Sequence, residues 1–102
     1  MSAIDPTDIR RQERAAEESA EKQRRAAQIW ISDLQWLMSD KRGRRIVFRM
    51  LDRAGLHRSS FDTNNASMAM KEGLRWFGIW LQEEIETHCF DRFIELLKES
   101  KE

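Results

Sequence analysis

Little in this sequence can interrupt a helix. Its 102 residues hold one proline and four glycines. The proline, Pro6, stands where a helix start tolerates it. No segment sustains the period-2 alternation of β-branched residues that marks a strand. Cysteine is scarce too, and a lone Cys89 excludes an intrachain disulfide framework. No apolar run approaches the roughly 18 residues of a membrane-spanning helix. The opening Met-Ser-Ala-Ile-Asp lacks the apolar stretch of a signal peptide, so synthesis in the cytoplasm is expected.

Catalytic patterns are equally sparse. His57, His88 and Cys89 are the strong metal-ligand candidates, and no pair of them has structural-zinc spacing. His88 and Cys89 are adjacent and point different ways. Cys89 opens a helix, where its pKa could fall, but no base and orienting group accompany it. There is no glycine-rich phosphate loop. These absences argue against an enzyme, a cofactor or a small-molecule substrate.

What is present is helical. Asp5-Pro6-Thr7-Asp8 reads as a cap, a first-turn proline and an acidic first turn. The next twenty residues are rich in Arg, Glu, Ala and Gln, all good helix formers. Glu18–Lys22 and Glu21–Arg25 form favourable i,i+4 pairs. A helix polar all round is exposed, docked on another molecule, or partly disordered when alone. From residue 29 it gains an apolar face: Trp30, Leu34, Leu37 and Met38. One long helix over 6–38 is expected, with 1–38 a largely polar segment and 39–102 a small three-helix domain.

Ser39-Asp40 caps the second helix, about 41–54, with Val47, Met50, Leu51 and Ala54 as its core face. Gly55 ends it in the left-handed conformation. Phe61 sits in a ten-residue connection and is expected to fold back as a plug. Thr63, Asn64 or Asn65 caps the third helix, about 66–87. Its stripe is Met70, Leu74, Phe77, Leu81 and Ile85, widened by Trp76 and Trp80. Gly73 and Gly78 each cost about 1 kcal/mol in a helix interior. Close approach by a backbone or a large ring would compensate, so both are helix-packing candidates. A fourth helix, about 90–99, turns Phe90, Phe93, Ile94 and Leu97 inward, and Glu99 to Glu102 fray. The fold class is all-α. Some 70 packable residues make a marginal core, which oligomerisation would complete.

Charge is balanced in sum but not in place. Residues 29–60 carry seven basic and three acidic side chains, and residues 61–102 carry five and nine. The middle and end of the chain therefore attract each other. Arg42, Arg45, Arg49 and Arg53, spaced 3, 4 and 4, share one side of the second helix. They suit nucleic-acid phosphates or an acidic partner. They also suit internal pairing with Glu83, Glu84 and Glu86, and both readings stand. The four tryptophans fit a core, yet tryptophan also concentrates at binding hot spots. Trp30, Trp36, Phe61, Trp76 and Trp80 are the partner-binding candidates.

Residues from about Gly43 to Glu99 resemble a family of small virion proteins of tailed phages, first named from a Bordetella short-tailed phage. The pattern is Gly43-Arg44, the run Val47-Phe48-Arg49-Met50-Leu51, Ala54-Gly55-Leu56, Ser60-Phe61, Asn65 to Met70, and Glu72-Gly73-Leu74-Arg75. It continues with Gly78 and the segment Phe93 to Glu99. Leu74 stands where the pattern usually has a second basic residue. The resemblance implies a non-enzymatic part of the virion made in the host cytoplasm. Its place would be the internal core and ejection apparatus near the portal, or the tail. Expected partners are portal or tail subunits and further copies of itself. Two alternatives are a nucleic-acid-binding module using the arginine row and a phage-encoded regulatory interaction protein.

Overall fold

The computed structural model describes residues 5–102. The leading Met1–Ile4, part of the segment read above as lacking a signal peptide, lie outside them. Four helices follow one another: α1 Pro6–Ser39, α2 Lys41–Ala54, α3 Asn65–His88 and α4 Phe90–Glu99. There is no strand among the described residues, and the protein is all-α. The expected ends hold to within one residue because each has a local cause. Asp5 accepts the Thr7 N–H at 2.9 Å, and Asp40 accepts the Arg42 N–H at 2.9 Å. Gly55 takes φ 69° and returns its N–H to the Asp52 carbonyl, a left-handed cap that a Cβ would strain. Asn64 caps α3 through the Ser67 N–H at 3.0 Å.

The chain divides into two compact units, Met1–Ser32 and Asp33–Glu102. In the first, the described residues form the solvent-exposed length of α1. Its ion pairs are Asp8–Arg11 at 2.8 Å and Glu21–Arg24 at 2.9 Å, both i,i+3. Glu21 therefore takes Arg24 and not the expected Arg25. Such exposed pairs contribute little.

The second unit holds the core: Leu34 and Met38 from the end of α1, Val47, Leu51 and Ala54 from α2, Leu81 and Ile85 from α3, Cys89 from the junction, and Phe93 and Leu96 from α4. This core is shorter than the periodicity suggested. Met50 on α2, Met70, Leu74 and Phe77 on α3, and Phe90 and Leu97 on α4 are exposed. On α3 the close contact with α2 is at Gly78. A Cβ there would lie 2.8 Å from the Ala54 Cβ, so α2 and α3 are in near contact at that point. Only Gly78, Leu81 and Ile85 of α3 are buried. Met70, Leu74 and Phe77 continue the same face toward the start of α3, where it is left uncovered.

One polar side chain joins this core. Arg44 is 6% exposed. Its Nε donates to both Glu99 carboxylate oxygens at 3.1 and 3.2 Å, and its Nη2 to Oε1 at 2.8 Å. Its Nη1 caps the Met38 carbonyl at 2.9 Å, and Glu95 lies 3.4 Å away. A buried guanidinium with every face satisfied ties the end of α1 to α2 and α4. Glu99, expected to fray, is thus a structural anchor. Beyond it, backbone bonds from Ser100 to Leu96 and from Lys101 to Lys98 keep the end turning.

Candidate functional site

The arginine row lies on the solvent side of α2, opposite Val47 and Leu51. None of Arg42, Arg45, Arg49 and Arg53 forms a salt bridge with a described residue. Internal pairing with Glu83, Glu84 and Glu86, one of the two readings, is therefore not made. The attraction between the middle and end of the chain runs instead through Arg44 with Glu95 and Glu99, and through Lys41 with Glu102 at 3.1 Å. Hydrogen bonds from Arg44, with smaller help from Lys41 and Arg45, hold the Glu99 carboxyl below its usual range against the opposing effect of desolvation.

Arg45, Arg49 and Arg53 rim an open groove of about 1010 Å³. Phe48, Met50, Asp52, Ala54, Leu74 and Phe77 also line it, and Arg42 stands outside. The groove opens onto the exposed stripe of α3. There Trp76 is 63% exposed, Phe77 52% and Trp80 46%. The Phe77 and Trp80 rings tilt against each other with centroids 5.8 Å apart. Each such ring presents about 150–250 Å² when bare, so the three leave on the order of 300 Å² uncovered. Gly73 lies in the same stripe, and nothing stands within 4 Å of where its Cβ would be. No neighbour in the described chain approaches it.

The other candidates are placed apart. Trp36 is 76% exposed on the side of α1 away from Leu34 and Met38. Trp30 lies on α1 within the first unit. Phe61 is no plug: it is 75% exposed, because the connection is tied down around it. The Phe61 N–H donates to Ser59 Oγ at 3.1 Å, and the Ser60 hydroxyl donates to Glu72. Asp62 accepts from Asn64 N–H at 3.0 Å, Ser67 Oγ at 3.0 Å and Lys71 Nζ at 2.8 Å. Those bonds, Lys71 first, hold its carboxyl far below the usual carboxylate range. Glu72 also takes Arg75 at 3.3 Å. The Ser-Phe and Glu-Gly-Leu-Arg segments are therefore one device that straps the connection onto α3 and presents Phe61 to solvent.

Sequence reasoning passed over Asp62 and the anchoring role of Arg44. The signal for Arg44 was legible, since 44, 47, 51 and 54 fall on one helical face. Asp62 gave no periodic signal. Cys89 corrects another expectation. Burial pushes its thiol upward, not downward, and it makes no side-chain cap bond to α4. Among the described residues there is no group of His, Cys, Asp or Glu able to hold a metal ion. No described helix is long and apolar enough to cross a membrane.

No curated protein and no solved structure matches this chain. Residues 34–98 match the model of the family described as Bbp19-like phage protein. That stretch falls entirely within the second compact unit, the one with the buried core, the strapped connection and the α3 stripe. The chain belongs to the Bbp19-like phage protein family.

Proposed function

We propose that this phage protein is a non-enzymatic structural component of the virion, docking in multiple copies at the portal and internal core or at the tail. The observation that carries this reading is the α3 stripe. Three large rings on one helix face stand about half uncovered or more, from 46% at Trp80 to 63% at Trp76, above a short core. Patches of that kind mark interaction surfaces, and tryptophan-rich ones supply hot spots. The partners are other virion proteins and further copies of this chain. Trp76, Phe77 and Trp80 bury at the contact, and Gly73 admits a partner's backbone or ring. Phe61, Trp36 and Trp30 are further contact points. Packing between copies completes what the core lacks.

Quantitative mass spectrometry of purified particles tests this. A fixed copy number near that of the portal subunits is expected. Absence from particles, with abundance in infected cells, overturns the structural role and leaves regulation of another protein.

A second reading is favoured by the unpaired arginine row. Arg42, Arg45, Arg49 and Arg53 on duplex DNA would give affinity that falls steeply with salt. Binding that is missing at low salt, or that survives reversal of these arginines to glutamate, removes it.

A further inference from the structure

A second, smaller cavity of about 370 Å³ lies between the C-terminal end of α2, the strapped connection and the first turns of α3. It is lined by Arg53, Arg58, Lys71 and Arg75, with Ser59 and Ser60 between them, and no carboxylate lines it among the described residues. Four cations around one small space repel unless neutralised. Two are answered, Lys71 by Asp62 and Arg75 by Glu72. Arg53 and Arg58 form no salt bridge with a described residue. Arg58 is nonetheless held in place. Its guanidinium donates to the Asp52 carbonyl and lies over Gly55, whose added Cβ would meet its Nε at 3.4 Å.

We infer that this cavity binds a phosphate group. Two uncompensated guanidinium charges match one such anion. Guanidinium forks and the Ser59 hydroxyl are donors that phosphate oxygens accept, with charge-assisted bonds the strongest, while the Ser60 O–H is already given to Glu72. The connection that carries Arg58, Ser59 and Ser60 is fixed by Ser60–Glu72 and Asp62–Lys71. The donors are thus preorganised, which limits the ordering cost of binding. The phosphate belongs to a nucleic-acid backbone or to a free small anion. Arg45 and Arg49 lead along α2 to Arg53 at four-residue spacing, so a strand's backbone could follow that row into the cavity.

The test is isothermal titration of the full chain with inorganic phosphate at low chloride, and with a short unphosphorylated DNA duplex over a range of salt. Arg53→Gln breaks no side-chain hydrogen bond or salt bridge with a described residue, so its fold is expected to be intact, with circular dichroism as the check. Saturable phosphate binding, weakened about tenfold or more by Arg53→Gln and untouched by Arg42→Gln, shows a free-anion site. Binding of DNA alone, with the salt slope reduced by about one in Arg58→Gln, shows a backbone-phosphate site. If neither ligand responds to Arg53→Gln or Arg58→Gln, the inference is overturned. Placement in the particle is untouched by any of these outcomes.

Discussion

Two glycines in helices give opposite predictions when each is changed to alanine. Gly73 and Gly43 both sit inside helices, so propensity alone expects each substitution to stabilise by about 1 kcal/mol. Around Gly73 the structure agrees, since nothing meets an added Cβ within 4 Å. Around Gly43 it does not. A Cβ there would lie 1.9 Å from the Leu37 carbonyl oxygen, where ordinary contact begins at 3.4 Å, a shortfall of about 1.5 Å. The obstacle is backbone, so α1 and α2 must part. Parting them also pulls on the Arg44 bond to the Met38 carbonyl, 2.9 Å long. Overpacking of this kind costs about 1–3 kcal/mol and occasionally more. Placing this overlap at the upper end and subtracting the propensity gain leaves Gly43→Ala less stable by about 2 kcal/mol. In a domain this small that lowers the melting midpoint by about 8–16 °C, while Gly73→Ala raises it by about 4–8 °C. Thermal unfolding followed by circular dichroism, at concentrations too low for self-association, reads both. A midpoint that rises or stays unchanged in Gly43→Ala would refute the close crossing there, and a fall in Gly73→Ala would refute the open space around Gly73. Gly73→Ala carries a second readout. If a partner's ring occupies that space, the variant is more stable alone yet assembles less well.

Three further outcomes are expected. Asp62 and Glu99 both have depressed carboxyl pKa values, from ordinary values of 3.8 and 4.5. Their contribution is therefore present above those values and lost as pH falls through the lower folded ones. The melting midpoint should drop below about pH 4, and Asp62→Asn should flatten that drop; an unchanged acid limb refutes the role of the strap. Glu99→Gln should lower the midpoint more than Glu95→Gln, because Glu99 carries three of the Arg44 hydrogen bonds while Glu95 stands 3.4 Å off; equal effects would count against the anchor. Cys89 should react with a thiol reagent in the native protein far more slowly than in denaturant, because it is buried with its thiol pKa raised; prompt native labelling would show that the α3–α4 junction opens.

The helices were legible in the sequence because their causes are local. Asp40, Asn64 and Gly55 act on bonds within four residues, so reading them needs no tertiary knowledge. Faces were harder. Periodicity finds the apolar side of α3 but not how far the neighbouring helices extend along it. Met70, Leu74 and Phe77 therefore read as core, although only Leu81 and Ile85 of that stripe are covered. The same limit hid Arg44. Its charge argued for solvent while its position argued for the core, and the deciding partner, Glu99, lies 55 residues away.

The disagreement between periodicity and burial bears on function. An apolar stripe longer than the core that covers it must either face water or face another molecule. Facing water, Trp76, Phe77 and Trp80 would gain nothing from being aromatic, and polar substitutions there should leave both stability and assembly unchanged. Facing a partner, they should be silent in the isolated chain and costly in the assembly. The variant Trp76→Ser separates the two. Incorporation into particles, measured against the unaltered chain, should fall while the melting midpoint of the isolated protein moves little. Loss of stability with normal incorporation would return these rings to the core and remove the main support for a docking role.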